Sequence, residues 1–158
     1  ENWLICGPTG VGKSHLATAM GYEAIKRGHS VSSHQTHKLL AELYASRADG
    51  SASKLMHKVT SCDLLILDDF GLRPITAQGA DDLYEIIHSR YERSSTILTS
   101  NRSPAEWLEV FGDSLLASAA LDRLTHHARV TVITGESYRQ RSRRKEVHPP
   151  DNSVSQTA

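Results

Sequence analysis

The run Gly7-Pro8-Thr9-Gly10-Val11-Gly12-Lys13-Ser14 fills every position of the pattern G-x-x-x-x-G-K-[ST], and it limits what this chain can fold into more than any other stretch. The pattern works as a turn from a strand into a helix. Its glycines let successive backbone N–H groups curl inward, and the start of the helix adds its partial positive charge. Both flanks agree. Trp3-Leu4-Ile5-Cys6 reads as a short buried strand, and Leu16, Ala17, Met20, Ala24 and Ile25 recur at helical spacing from about Lys13 to a stop at Gly28. The expected ligand is ATP with Mg2+. All eight residues of the loop cradle phosphates, Lys13 meets the β and γ phosphates, and the Ser14 hydroxyl ligates the cation.

A second stretch, Leu64-Leu65-Ile66-Leu67-Asp68-Asp69, is an apolar run ending in two carboxylates, as a fully buried strand delivering acids to its carboxyl edge would be. Asp68 is expected to hold the magnesium through water, and Asp69 to orient or deprotonate the water that attacks ATP. Thr99-Ser100-Asn101 closes a further apolar run, placing the Asn101 amide where a strand edge approaches the γ-phosphate or that water. An isolated Asp pair or loop Asn is more often a turn residue. Beside a complete phosphate loop, the catalytic reading is preferred.

Five strand-like runs emerge, at 3–6, 30–34, 63–68, 96–100 and 129–134, with helical patterns between them. Thr36 can cap a helix through Leu39, Leu40, Leu43 and Tyr44, which Asp49-Gly50-Ser51 breaks before a second helical piece at 53–60. Leu83, Ile86, Ile87 and Tyr91 mark another helix from Gln78 to about Arg93. The alternation predicts one α/β domain whose parallel sheet is covered by helices on both faces. With 158 residues, 39% of them apolar, the chain can bury one continuous core. No window approaches the roughly 18 uninterrupted apolar residues of a membrane span, and Glu1-Asn2-Trp3 lacks the layout of a signal peptide. A cytoplasmic protein with no membrane partner is therefore expected. Cys6 and Cys62 fall in apolar runs and read as small buried thiols. The first residue is glutamate and not methionine, so any function housed upstream in a longer protein is not legible in this sequence.

Taken in order, GPTGVGKSHLA, LLILDDFG, RYERSSTILTSN with Trp107 following, ALDRLTHHA and GESYR resemble the IstB-like ATP-binding family, the AAA+ ATPases that assist DNA transposition and are related to bacterial helicase loaders. The resemblance runs from about Asn2 to Arg139. It implies a P-loop NTPase fold with strand order 5-1-4-3-2 and an ATPase domain at 1–139, too short to include a helical lid. It also implies that Arg123, in Leu121-Asp122-Arg123-Leu124, is an arginine finger reaching the ATP of the next subunit, so that function needs an oligomer. Pairing of Arg123 with Asp122 or a helix end stays open, and Arg90 and Arg93 are the other candidate fingers. Arg139 alone is left to stand in for a lid arginine. Most AAA+ proteins carry Glu where this chain has Asp69, one methylene shorter, so slow turnover is expected.

Formal net charge is zero, so contact with DNA must come from a local patch. Arg139, Arg141, Arg143, Arg144 and Lys145 concentrate cations at the head of a tail, 140–158, expected to be basic and then disordered; a merely solvated tail is the plain alternative. The helical pair within 36–60 resembles an insertion of the initiator and loader clade that lines the DNA path, with Lys38, Arg47, Lys54 and Lys58 available for phosphates and little sequence preference. Two functions follow: a DNA-stimulated ATPase that assembles on duplex DNA and recruits a transposase, or a loader that grips a replicative helicase. A small-molecule kinase would need an Arg-bearing lid and an acceptor pocket, and neither is legible. His15, His57, His126 and His127 lack convincing metal-ligand spacing.

Overall fold

Strands and helices alternate through residues 1–112 and 114–138, the part of the chain that the computed structural model describes. The order is β1 (Trp3–Cys6), α1 (Lys13–Lys26), β2 (Val31–Gln35), α2 (Thr36–Ser46), α3 (Ala52–Ser61), β3 (Leu64–Phe70), α4 (Ala77–Arg90), β4 (Ser95–Ser100), a 3-10 turn (Pro104–Glu106), α5 (Leu108–Phe111), α6 (Ser114–Thr125) and β5 (Arg129–Val132). All strand pairs are parallel, and the sheet runs β2-β3-β4-β1-β5, the expected 5-1-4-3-2 read from the other edge.

Successive strand side chains point to opposite faces, so continuous apolar strands need cover on both. Leu4, Cys6, Leu65, Leu67 and Leu98 pack on one face with Leu39, Leu43, Val59, Leu83, Ile86, Trp107, Ala117 and Leu124 from the helical layer. Ile5, Ile66 and Ile97 pack on the other with Ala17 of α1. At about 25 cal/mol per Å2 of apolar surface, burial of this kind supplies most of the drive to fold. Cys6 and Cys62 are free and buried, and burial pushes the Cys6 thiol up from its ordinary pKa.

Four local expectations are corrected. Ile25 is 55% exposed: α1 buries Lys13, Ala17 and Gly21, and each step of four residues overshoots a 3.6-residue turn by about 40°, which carries Ile25 off the sheet. Thr36 does not cap α2; Gln35 holds that position, and the Thr36 hydroxyl instead donates to the carbonyl of Asp68 at 3.0 Å. α4 starts at Ala77 and stops at Arg90, with the Thr76 hydroxyl accepting from the Gly79 N–H at its amino end and Tyr91 already outside the helix. Arg90 is no finger, because it is buried and its guanidinium donates to the carbonyls of Val59 (2.9 Å), Cys62 (2.8 Å) and Ser95 (2.5 Å) and to the Thr96 hydroxyl (3.1 Å).

The α2–α3 pair packs into the main body through Leu39, Leu43 and Val59. Arg47 is committed to an ion pair with Asp82 of α4, so of the four cations named on this pair Lys38, Lys54 and Lys58 are left on the exposed surface. Among the described residues, no helix is long and apolar enough to cross a membrane.

Candidate nucleotide site

The carboxyl ends of β1, β2, β3 and β4 converge on a cleft of about 970 Å3, lined by Thr9 to His15, Gln35, Asp68, Asp69, Leu72, Asn101 and Tyr138. This is the edge of an open parallel sheet at which ligands bind, and the volume is typical of ligand pockets. The loop between β1 and α1 is a close-fitting turn. Gly7, Gly10 and Gly12 all have φ between +85° and +149°, where an L side chain is strained. A Cβ on Gly7 would lie 2.2 Å from the Ile133 carbonyl and one on Gly10 would lie 2.1 Å from Ser137 Oγ, whereas one on Gly12 would point into open space. The segment after β5 therefore lies directly against the loop, with the Tyr138 N–H donating to the Gly10 carbonyl at 3.0 Å.

Lys13 is buried and its Nζ donates to the carbonyls of Gly7 and Pro8, both at 2.8 Å, and to Asn101 Oδ1 at 2.6 Å. The Asn101 amide in turn donates to Thr9 Oγ1 at 3.1 Å, so this side chain bridges both arms of the loop. Asn101 is held in place by its neighbour Ser100. The Ser100 hydroxyl donates to the Phe70 carbonyl (2.8 Å) and accepts from Trp107 Nε1 (3.2 Å) and the Arg102 N–H (3.0 Å). Trp107 is fully buried, edge-on to Phe70.

The two carboxylates reach the cleft through a fault in the sheet. Leu67 pairs with Leu98 and Phe70 with Ser100, so β3 carries one more residue than β4 across this interval, which is a β-bulge. In an unbroken strand Asp69 would follow Leu65 and Leu67 into the core. The bulge sends Phe70 there instead and turns Asp69 out with φ +57°, a conformation that Asp tolerates better than most residues. Burial favours this register, since a core Phe is worth about 1.5–3 kcal/mol and an unpaired core carboxylate costs several. Asp68 Oδ1 accepts from Ser14 Oγ at 2.8 Å and from the Thr99 hydroxyl. Asp69 accepts a long contact, 3.5 Å, from Gln35 Nε2. A hydroxyl and a carboxylate side by side form a hard, oxygen-only donor pair, which fits magnesium held jointly with a nucleotide's phosphates.

The cleft thus brings together Lys13, Ser14, Asp68, Asp69 and Asn101 as expected, and adds Gln35 and Tyr138 to its lining, with the buried Thr99 hydroxyl bonded to Asp68 from behind. Arg123 is elsewhere. Its Nη1 donates to the Ala119 carbonyl of its own helix at 2.9 Å, and its guanidinium lies 5.4 Å from the Tyr84 ring and 6.0 Å from that of Tyr91. With Arg93, Ser95, His126 and His127 it lines a small separate cleft of about 190 Å3. Arg139, Arg141, Arg143, Arg144 and Lys145 lie outside the described residues.

A family model described as IstB-like ATP binding protein matches residues 1–146. An insertion sequence ATP-binding protein of Sinorhizobium fredii is 44% identical over 145 residues, covering 92% of this chain and 59% of that protein. The insertion sequence IS21 ATP-binding protein of Pseudomonas aeruginosa is 41% identical over 145 residues, 92% of this chain and 55% of its own length. The chain thus spans little more than half of these curated relatives. Among solved structures, DnaI superposes with a TM-score of 0.77 at 24% identity, over 85% of this chain and 73% of that one. The DnaC helicase loader gives 0.71 at 26% identity, over 85% and 78%.

Proposed function

This chain belongs to the IstB-like ATP-binding family, and from that premise we propose that it hydrolyses ATP in a DNA-dependent assembly that directs a transposase to its target. The β3 bulge carries the hydrolysis reading, because it presents two adjacent carboxylates to the cleft that holds Lys13 and Ser14. Ser14 and Asp68 would hold magnesium, which when bound draws charge off the phosphate oxygens. Within the loop Gly7 to Ser14, the backbone N–H groups from Thr9 onward bind the phosphates, since Pro8 has none and Gly7 gives its own to the Ser100 carbonyl at 3.1 Å, and Lys13 exchanges its carbonyl partners for the β and γ oxygens. Asp69 accepts a proton from, or aligns, the attacking water. Asn101, already bridging Lys13 and Thr9, holds the γ-phosphate end of the cleft in register with that water.

Arg123 lies outside its own subunit's cleft, as a residue serving a neighbour's ATP must, and its partners are a helix carbonyl and two aromatic faces. We assign it the finger role in a higher oligomer. Residues 1–139 form the ATPase domain. DNA contacts fall to the exposed Lys38, Lys54 and Lys58 and to the basic run 139–145. The insertion-sequence relatives support the transposition reading. Likeness to the DnaC helicase loader supports a second, delivery of a helicase to DNA.

Steady-state ATP hydrolysis at fixed low salt, alone and with equal nucleotide concentrations of duplex or single-stranded DNA, separates the two. Stimulation by duplex is expected. Stimulation by single strands alone would move the assignment to a loader, and no turnover under any condition would remove the hydrolase reading.

A further inference from the structure

A bulge leaves one residue of the longer strand without its ladder partner, and that residue's N–H must be satisfied some other way. In β3 it is Asp69, and the partner is a side chain: the Thr99 hydroxyl accepts the Asp69 N–H at 3.1 Å. The same hydroxyl donates to Asp68 Oδ1, the oxygen that also accepts from Ser14. Thr99 stands opposite the bulge on β4 and is itself fully buried, behind the two part-buried acids that line the cleft. One hydroxyl has one proton to give and lone pairs to receive, and here both capacities are used, one on each acid.

We propose that Thr99 is the positioning residue that couples the two carboxylates, fixing the backbone that aims Asp69 and the rotamer that aims Asp68. The inference rests on the hydrolase reading above and adds to it a residue that touches neither phosphate nor water. Removing the hydroxyl takes from the part-buried Asp69 N–H its partner at the bulge and frees Asp68 to rotate, so the cation's ligand and the water's acceptor are loosened together. A residue that merely filled space would affect neither selectively.

The test compares Thr99→Val, which keeps shape and β-branching and loses the hydroxyl, with Thr99→Ser, which keeps the hydroxyl and loses the methyl. The first readout is the Mg2+ concentration giving half-maximal binding of a fluorescent ATP analogue, measured without turnover. In Thr99→Val it rises at least ~10-fold, the scale of one hydrogen bond to a charged group, while binding in EDTA changes less than ~2-fold. Turnover at saturating Mg2+ falls by at least ~10-fold, and Thr99→Ser restores both readouts to within ~3-fold of the parent chain. A wild-type Mg2+ midpoint in folded Thr99→Val overturns the proposal, as does a Thr99→Ser chain no better than the valine variant. If Thr99→Val does not fold, Thr99→Cys replaces it: a weaker donor predicts a raised midpoint, and an unchanged one overturns the assignment. A wild-type chain inert toward ATP would sink the hydrolase reading separately, because the binding midpoint needs no hydrolysis.

Discussion

Replacing Arg90 with Met is the sharpest test of how this fold is held together. The guanidinium is only 2% exposed and donates to the carbonyls of Val59, Cys62 and Ser95. Val59 lies in the last turn of α3 and Cys62 is its C-cap, so two of these are carbonyls left over where the helix ends. Arg90 thus caps α3 from α4 and places a positive charge at the negative end of the helix dipole. Burial pulls its pKa down from the usual guanidinium range, so the charge is held at a desolvation cost that the three carbonyls offset. Met fills similar volume but supplies no donor. Each orphaned carbonyl costs about 1–3 kcal/mol, and relief of the buried charge returns part of this, leaving a net loss of about 3–4 kcal/mol. With a urea m-value near 2 kcal/mol/M, the unfolding midpoint should fall by about 1.5–2 M at unchanged m. A midpoint shift under about 0.5 M would refute the capping argument. Loss of DNA-stimulated turnover at an unshifted midpoint would return Arg90 to the list of fingers.

Four further substitutions separate the roles assigned above. Lys13→Ala should abolish binding of a fluorescent ATP analogue, whereas Asp69→Asn should bind it normally and lose turnover by ~100-fold or more, the usual scale for a general base. Arg123→Ala should lose turnover with no change in nucleotide affinity of the single chain; normal hydrolysis by this variant removes it as a finger. Gly10→Ala must displace Ser137 and hold a side chain at φ +85°, so thermal melting should report a loss of about 1–3 kcal/mol together with weaker nucleotide binding.

Much of the site was legible because its chemistry is local. A glycine-spaced turn, a lysine and a hydroxyl within eight residues leave few alternatives, and apolar runs too continuous for a one-sided sheet call for helices on both faces. The bulge left a trace as well. Leu65 and Leu67 keep a period of two, and Phe70 breaks it, so a core aromatic out of phase with its strand was the available sign that Asp69 would turn outward. Gln35, Thr99 and Tyr138 left none. Each is an ordinary residue in its own segment, and each acquires its place only when β2, β4 and the residues after β5 are laid beside the loop.

Arginine shows the division most plainly. By sequence, only the family resemblance set Arg123 ahead of Arg90 and Arg93, and nothing in their neighbours ranked them physically. The fold buries Arg90 among carbonyls from α3 and β4 and leaves Arg123 against Tyr84 and Tyr91, away from its own phosphate loop. The sequence alone therefore determined the nucleotide loop and the acid-bearing strand, since each depends on residues within a few positions of one another, whereas the strand order, which pairs Trp3 with Ile97 and Arg129, was implied by the family resemblance. Which hydroxyl steadies the acids, and which arginine is structural, depended on the distance between groups tens of residues apart, and only tertiary packing sets that distance.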